Sequence, residues 1–222
     1  MELKNKRIGF LGDSITEGHG VADPQNIFWN RIAAQTDAAC FGYGIGGTRI
    51  APQHSGADDP RWDPRWALYF GSRVDEMEEN LDVIVVFGGT NDFGHGDAPL
   101  GTPADRDEST FYGAYHVLLN KIFERYPGAE VVLMTPLHRL GDENCTYNEF
   151  GMRRSANLEG YAEAIKEIAK FYSVPVLDLF TIGGMNPIVP VQKELFMPDG
   201  LHPNDAGHAR IAQRLIGLLN TL

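Results

Sequence analysis

Five short apolar runs constrain this chain more than any other feature: R-I-G-F-L (7–11), A-A-C-F (38–41), D-V-I-V-V-F (82–87), E-V-V-L-M-T (130–135) and V-P-V-L-D-L (174–179). Each is continuous rather than alternating, the pattern of a strand covered on both faces. Between them, apolar residues recur at helical spacing. Phe111, Tyr115, Leu118 and Ile122 do so after Ser109; Leu158, Tyr161, Ile165, Ile168 and Tyr172 after Ser155; Ile211, Leu215 and Leu218 after Asn204. Segments 26–36 and 71–80 carry weaker helical patterns that complete the alternation. Strand and helix in turn predict a three-layer α/β fold with a parallel sheet between helices. With 222 residues and 43% hydrophobic content, the chain can bury one substantial core, so a single domain over 1–222 is expected.

In open α/β sheets, ligands gather beyond the carboxyl ends of the strands. The segments at those ends are long here, about 49–70, 93–108, 136–154 and 180–203, against the usual two to six residues. At the opposite edge the links are short, as in Y-P-G-A-E (126–130). One edge of the sheet is therefore expected to carry the function.

Four motifs fall at that edge: G-D-S-I-T after the first strand, Y-G-I-G-G-T after the second, F-G-G-T-N-D after the third, and P-D-G-L-H-P-N in the last long segment. Together they supply a hydroxyl, backbone amides clear of side chains, a carboxamide, and a carboxylate beside an imidazole. Acyl transfer requires that set: a nucleophile, a base, a group orienting the base, and donors aimed where negative charge develops. Ser14 is the candidate nucleophile, His202 the base and Asp199 its orienting partner. Pro203 biases His202 away from helical dihedrals, which presents the ring from a loop. The candidate oxyanion donors are the N–H groups of Ser14 and Gly47 and the side-chain NH₂ of Asn91. Asp13 and Thr16 read as turn and cap residues supporting Ser14, and Asp92 as a cap of the next helix.

In this order and at these spacings, G-D-S-I-T, G-I-G-G-T, G-G-T-N-D and D-G-L-H-P-N resemble the four blocks of the SGNH hydrolases, also called the GDSL esterase and lipase family. The resemblance spans residues 10 to 204. It implies Ser14 as nucleophile, Gly47 and Asn91 as oxyanion donors, and Asp199 with His202 completing the triad. It also implies a flavodoxin-like sandwich with a five-stranded parallel sheet in order 2-1-3-4-5, and no cofactor. One departure is Gly42, where many members carry Asn; it bears on the local support of the oxyanion loop.

Competing readings are weaker. Gly42 to Gly47 also satisfies the dinucleotide fingerprint G-x-G-x-x-G, but Pro52 and Gly56 interrupt the helix that fingerprint needs. In place of the second glycine of a G-x-S-x-G elbow stands Thr16. The seven histidines form no H-E-x-x-H and no pair at i, i+4; His202 and His208, with carboxylates nearby, are a weak pairing for a metal, and no metal site is expected. Most of the others read as exposed or loop residues. Cys40 and Cys145 lie far apart and read as buried small apolar residues. A net charge of −11 argues against nucleic-acid or anionic-membrane partners. The N-terminus enters a strand at once, with no secretory pattern, so a cytoplasmic location is expected.

The segment R-W-D-P-R-W-A-L-Y-F (61–70) admits two readings evenly. Trp62 and Trp66 line the substrate site, or they pack the loop onto the domain or onto a second copy in a homo-oligomer. Aromatic faces with polar neighbours suit a sugar ring. The other long loops lack the aliphatic groove a long acyl chain would need. The expected activity is that of a serine esterase acting through an acyl-enzyme on short acyl esters or acetylated carbohydrate. The alternatives are a lysophospholipase or thioesterase acting on longer acyl chains, a metal-dependent hydrolase, and a non-catalytic α/β binding module.

Overall fold

The strands β1 (Arg7–Gly12), β2 (Ala39–Gly44), β3 (Val83–Phe87), β4 (Glu130–Met134) and β5 (Val176–Leu177) pair in one all-parallel sheet of order β2-β1-β3-β4-β5. The computed structural model describes residues 1–54 and 58–222; Gly56, which the sequence offers as a helix breaker, lies outside the described residues. The helices are α1 (Ser14–Glu17), α2 (Phe28–Thr36), α3 (Phe70–Arg73), α4 (Thr90–His95), α5 (Phe111–Arg125), α6 (Leu158–Tyr172), α7 (Leu179–Ile182), α8 (Pro190–Phe196) and α9 (Asp205–Leu219).

Successive strand side chains point to opposite faces, so a continuous apolar run feeds two cores. Val83, Val85 and Phe87 of β3 enter one with Phe28 and Ile32 of α2 and Ile211 and Leu215 of α9. Ile84 and Val86 enter the other with Tyr115 and Leu118 of α5 and Ile165 and Ile168 of α6. These two cores make the sheet the middle of three layers.

The central strands agree with the apolar runs, and the differences have local causes. From 174–179 only Val176–Leu177 pairs in the sheet. Pro175 has no N–H to give a ladder, and the Asp178 carboxylate accepts the Thr181 N–H to cap α7. The weak helix over 71–80 shrinks to α3 and a 3-10 turn at Val74–Glu76. Carbonyls that a longer helix would use are taken instead by Arg125, which donates to Met77 O, and by the Tyr126 hydroxyl, which donates to Glu78 O. The segment 180–203 is not one loop but holds most of α7 and all of α8.

The cysteines correct the sequence reading. Cys145 is exposed in the segment after β4, and Cys40 is only partly buried because β2 is an edge strand. Even so, burial alone pushes the Cys40 thiol up to about 12, so it is inert as a nucleophile. Most histidines fit the reading, with His19, His54, His138 and His202 exposed or in loops, but His95, His116 and His208 are instead buried on helices.

Candidate active site

The first turn after β1 sets Ser14 at the start of α1, where the carboxylate of Asp13 accepts the N–H of Ile15 at 3.0 Å. Asp13 is thus the cap that the sequence suggests. Thr16 is not one: its hydroxyl is buried and has no hydrogen-bond partner among the described residues. Burial, reinforced by the charge of nearby Asp92, raises the Asp13 pKa to about 7.

From the far end of the chain, the turn before α9 brings His202 to Ser14, with Nε2 3.0 Å from Oγ. The other ring nitrogen, Nδ1, lies 2.7 Å from Asp199 Oδ2, while Asp199 Oδ1 accepts the N–H groups of Leu201 and His202. Burial works to raise the Asp199 pKa, but those N–H groups and the ring outweigh it and hold the carboxyl below its usual range. Burial also lowers the His202 pKa, with Asp199 opposing the shift. The ring is therefore mostly neutral near pH 7 and able to accept a proton.

Gly47, after β2, and Asn91, in α4 after β3, line one cavity of about 290 Å³ together with Ser14 and His202. Gly47 has φ +76, and a Cβ built there would lie 1.8 Å from Trp66 Nε1, so both the backbone and the space require glycine. Asn91 Nδ2 donates to Thr48 O at 3.0 Å; the amide group carries a second N–H. Gly42, the departure from the family pattern, makes room for Trp29: a Cβ there would lie 2.5 Å from the indole. That indole donates to Thr16 O at 2.9 Å, so the space at Gly42 lets Trp29 support α1.

Several supporting residues are not evident from the motifs. Asp92 does not cap a helix. Its two carboxylate oxygens accept the N–H groups of Ile50 and Ala51, clamping the chain after Gly47 onto α4. Buried Arg73 donates to Tyr43 O, Gly12 O and Thr48 Oγ1, joining the ends of β1 and β2. Arg49, also buried, donates to Trp66 O and contacts His95 Nδ1 at 2.8 Å. Glu17 accepts the Gly46 N–H and pairs with Arg65 of the aromatic loop. No pattern of neighbouring residues marks these roles, because each depends on a partner distant in the chain.

Of the two tryptophans in that loop, Trp66 lines the cavity and stacks on His95 with centroids 4.5 Å apart. Trp62 packs edge-on to Trp66 and against the Arg49 guanidinium, outside the cavity lining. The pairing of His202 with His208 does not occur around an ion-sized space. His208 Nδ1 instead accepts the Phe28 N–H. His19, Asp199 and His202 have ligand atoms within 4.8 Å of one another. Both His202 nitrogens already face Ser14 and Asp199, so a metal there would have to displace one of those contacts.

Residues 10–210 match the model of the GDSL-like lipase/acylhydrolase family. A solved protein from Lactobacillus plantarum is 33% identical, with a TM-score of 0.79 over 98% of each chain. A possible lipase from Chitinophaga pinensis is 23% identical, with a TM-score of 0.65 over 97% of this chain and 98% of that one. A two-domain esterase active on acetylated mannans is 21% identical, with a TM-score of 0.62 over 98% of this chain and 49% of that one. The last two are likenesses of fold. No curated protein matches the chain. Among the described residues, no helix is long and apolar enough to cross a membrane.

Proposed function

The chain belongs to the GDSL-like lipase/acylhydrolase family and is a carboxylic ester hydrolase, and from that premise we propose that it works through an acyl-enzyme on Ser14, with short acyl esters, acetylated carbohydrate among them, as substrates. The observation carrying this reading is the continuous contact from Ser14 Oγ through His202 to Asp199, at 3.0 and 2.7 Å. His202 Nε2 takes the hydroxyl proton as Oγ bonds to the ester carbon. Asp199 holds the ring by its Nδ1–H and stabilises the imidazolium that forms. The carbonyl oxygen, now an anion, receives hydrogen bonds from the N–H groups of Ser14 and Gly47 and from Asn91. As the intermediate collapses, the ester C–O bond breaks and the alcohol leaves with the proton from His202. Water, deprotonated by the same imidazole, then frees the acid and restores Ser14.

The small acyl size is supported by the cavity, about 290 Å³ and walled by charged Glu17, Asp63, Arg65, Arg139 and Glu149 rather than by an aliphatic groove. The relative active on acetylated mannans is consistent with an acetylated sugar. Rates on a chain-length series of p-nitrophenyl esters test the substrate class: acetate and propionate are expected to lead, and a preference for acyl groups of about eight carbons or more would overturn it. Ser14→Ala is expected to abolish turnover; hydrolysis at the wild-type rate would end the assignment of the nucleophile.

A further inference from the structure

In G-G-T-N-D-F-G-H, His95 follows Asn91 by four residues on α4. At that spacing two side chains share a helix face, with Cβ atoms about 5–6 Å apart. His95 is buried and lines the cavity that holds Ser14 and Asn91. Its Nδ1 lies 2.8 Å from Arg49 Nη1. A guanidinium only donates, so Nδ1 must accept, and a neutral ring then carries its proton on Nε2. Burial, with the charges of Arg49 and Arg139, lowers the His95 pKa to about 3, so the ring is neutral near pH 7. Trp66 covers one face of the ring at an interplanar angle of 22°, and Phe150 meets it at 83° with centroids 6.0 Å apart. The ring is held between these neighbours where it lines the cavity, with Nδ1 occupied by Arg49.

We infer that His95 Nε2–H is a substrate-binding donor in the acyl subsite, selecting acyl groups that carry an oxygen a few bonds from the ester carbonyl, such as alkoxyacyl or hydroxyacyl groups, over plain alkyl ones. This rests on the acyl-enzyme reading, which also assigns the side of the cavity. The leaving alcohol takes its proton from His202 and so lies against the wall formed by His19, Leu201 and His202. Trp66 and His95 flank Gly47 and Asn91, the oxyanion donors, and so face the acyl part. A plain alkyl group there leaves the N–H without an acceptor once water is expelled, and a site built to hydrogen-bond discriminates against such a ligand.

The test compares p-nitrophenyl methoxyacetate with p-nitrophenyl butyrate, which differ by an ether oxygen in place of a methylene. Methoxyacetate is intrinsically more reactive, so the quantity read is the ratio of their kcat/KM values across enzymes. Relative to wild type, His95→Phe is expected to lower that ratio about tenfold, and His95→Gln, which keeps an N–H donor, to recover much of it. A ratio unmoved by His95→Phe overturns the subsite. A long-range proton–nitrogen spectrum of the wild-type enzyme tests it without any variant. The Nε2–H tautomer, with a resonance that shifts when a methoxyalkyl phosphonate occupies Ser14, is expected; the Nδ1–H tautomer overturns it. Loss of turnover in Ser14→Ala with an unmoved ratio defeats the subsite alone. Full turnover in Ser14→Ala defeats the acyl-enzyme reading and the subsite with it.

Discussion

Asn91 carries two N–H donors, and one is spent on Thr48 O. That contact fixes the amide plane and leaves the other donor for the oxyanion role proposed for it. Asn91→Ala is therefore expected to lower kcat by about 10²–10³ with a much smaller change in KM, since the lost bond matters most in the transition state. Steady-state kinetics on a short ester reads both constants. As the proposed base, His202 sets the acid limb of activity. Protonated, the imidazole cannot take the Ser14 proton, so kcat/KM should rise with pH and level off once the ring is neutral. Burial lowers its pKa from 6.5, so the inflection is expected below that pH. Because Asp199 opposes the shift, Asp199→Ala should move the inflection to lower pH while reducing the plateau. A pH–rate profile of the two enzymes checks the sign. The meeting of Ser14, His202 and Asp199 could be anticipated from the sequence because each stands in a short motif of fixed spacing. His95 and Arg49 could not, because their roles arise from a contact between residues 46 apart that only the fold creates.

Helix α2 begins at Phe28 with Ile27 as its cap residue, and Ile27 offers no side-chain acceptor. The Phe28 N–H is satisfied instead by His208 Nδ1 from α9, at 3.1 Å, with the two rings stacked 5.9 Å apart. Two helices on the same face of the sheet are thereby joined by a polar contact inside an apolar core. Burial lowers the His208 pKa to about 4. The folded state then binds fewer protons than the unfolded chain. This contact's contribution is present above about pH 6.5 and is lost as pH falls toward 4. His208→Phe keeps the ring but leaves the N–H without its acceptor. Because the variant also removes the buried Nε2–H of His208, which has no hydrogen-bond partner among the described residues, a loss at the low end of about 1–3 kcal/mol is expected at pH 7 and a smaller one at pH 5, measured by urea unfolding. The apolar periodicity of Ile211 and Leu215 made α9 legible, whereas a histidine serving another helix's first N–H has no local signature. For the same reason β5 and the 71–80 segment fell short of their patterns: capping by Asp178 and donation from Arg125 and Tyr126 are tertiary events.

At the scale of the whole molecule, the continuous apolar runs determined the three layers, because a strand buried on both faces needs helices on both sides. Strand order is a different matter. Periodicity shows that strands exist but not which are neighbours, and the order 2-1-3-4-5 was legible only through the resemblance carried by the four motifs. Once that order is set, β1 lies between β2 and β3, and the ends of all three converge on one edge. Ser14, Gly47 and Asn91 follow from those ends, and the turn before α9 returns Asp199 and His202 to the same place, His202 across 188 residues from Ser14. The central claim is that this convergence makes Ser14 an activated nucleophile. The most direct measurement is the intact mass and peptide map of the protein after brief exposure to a fluorophosphonate. A single adduct on Ser14, abolished by His202→Ala, is the expected result. Rapid loss of esterase activity with the adduct on another residue, or undiminished activity with no adduct, would contradict it.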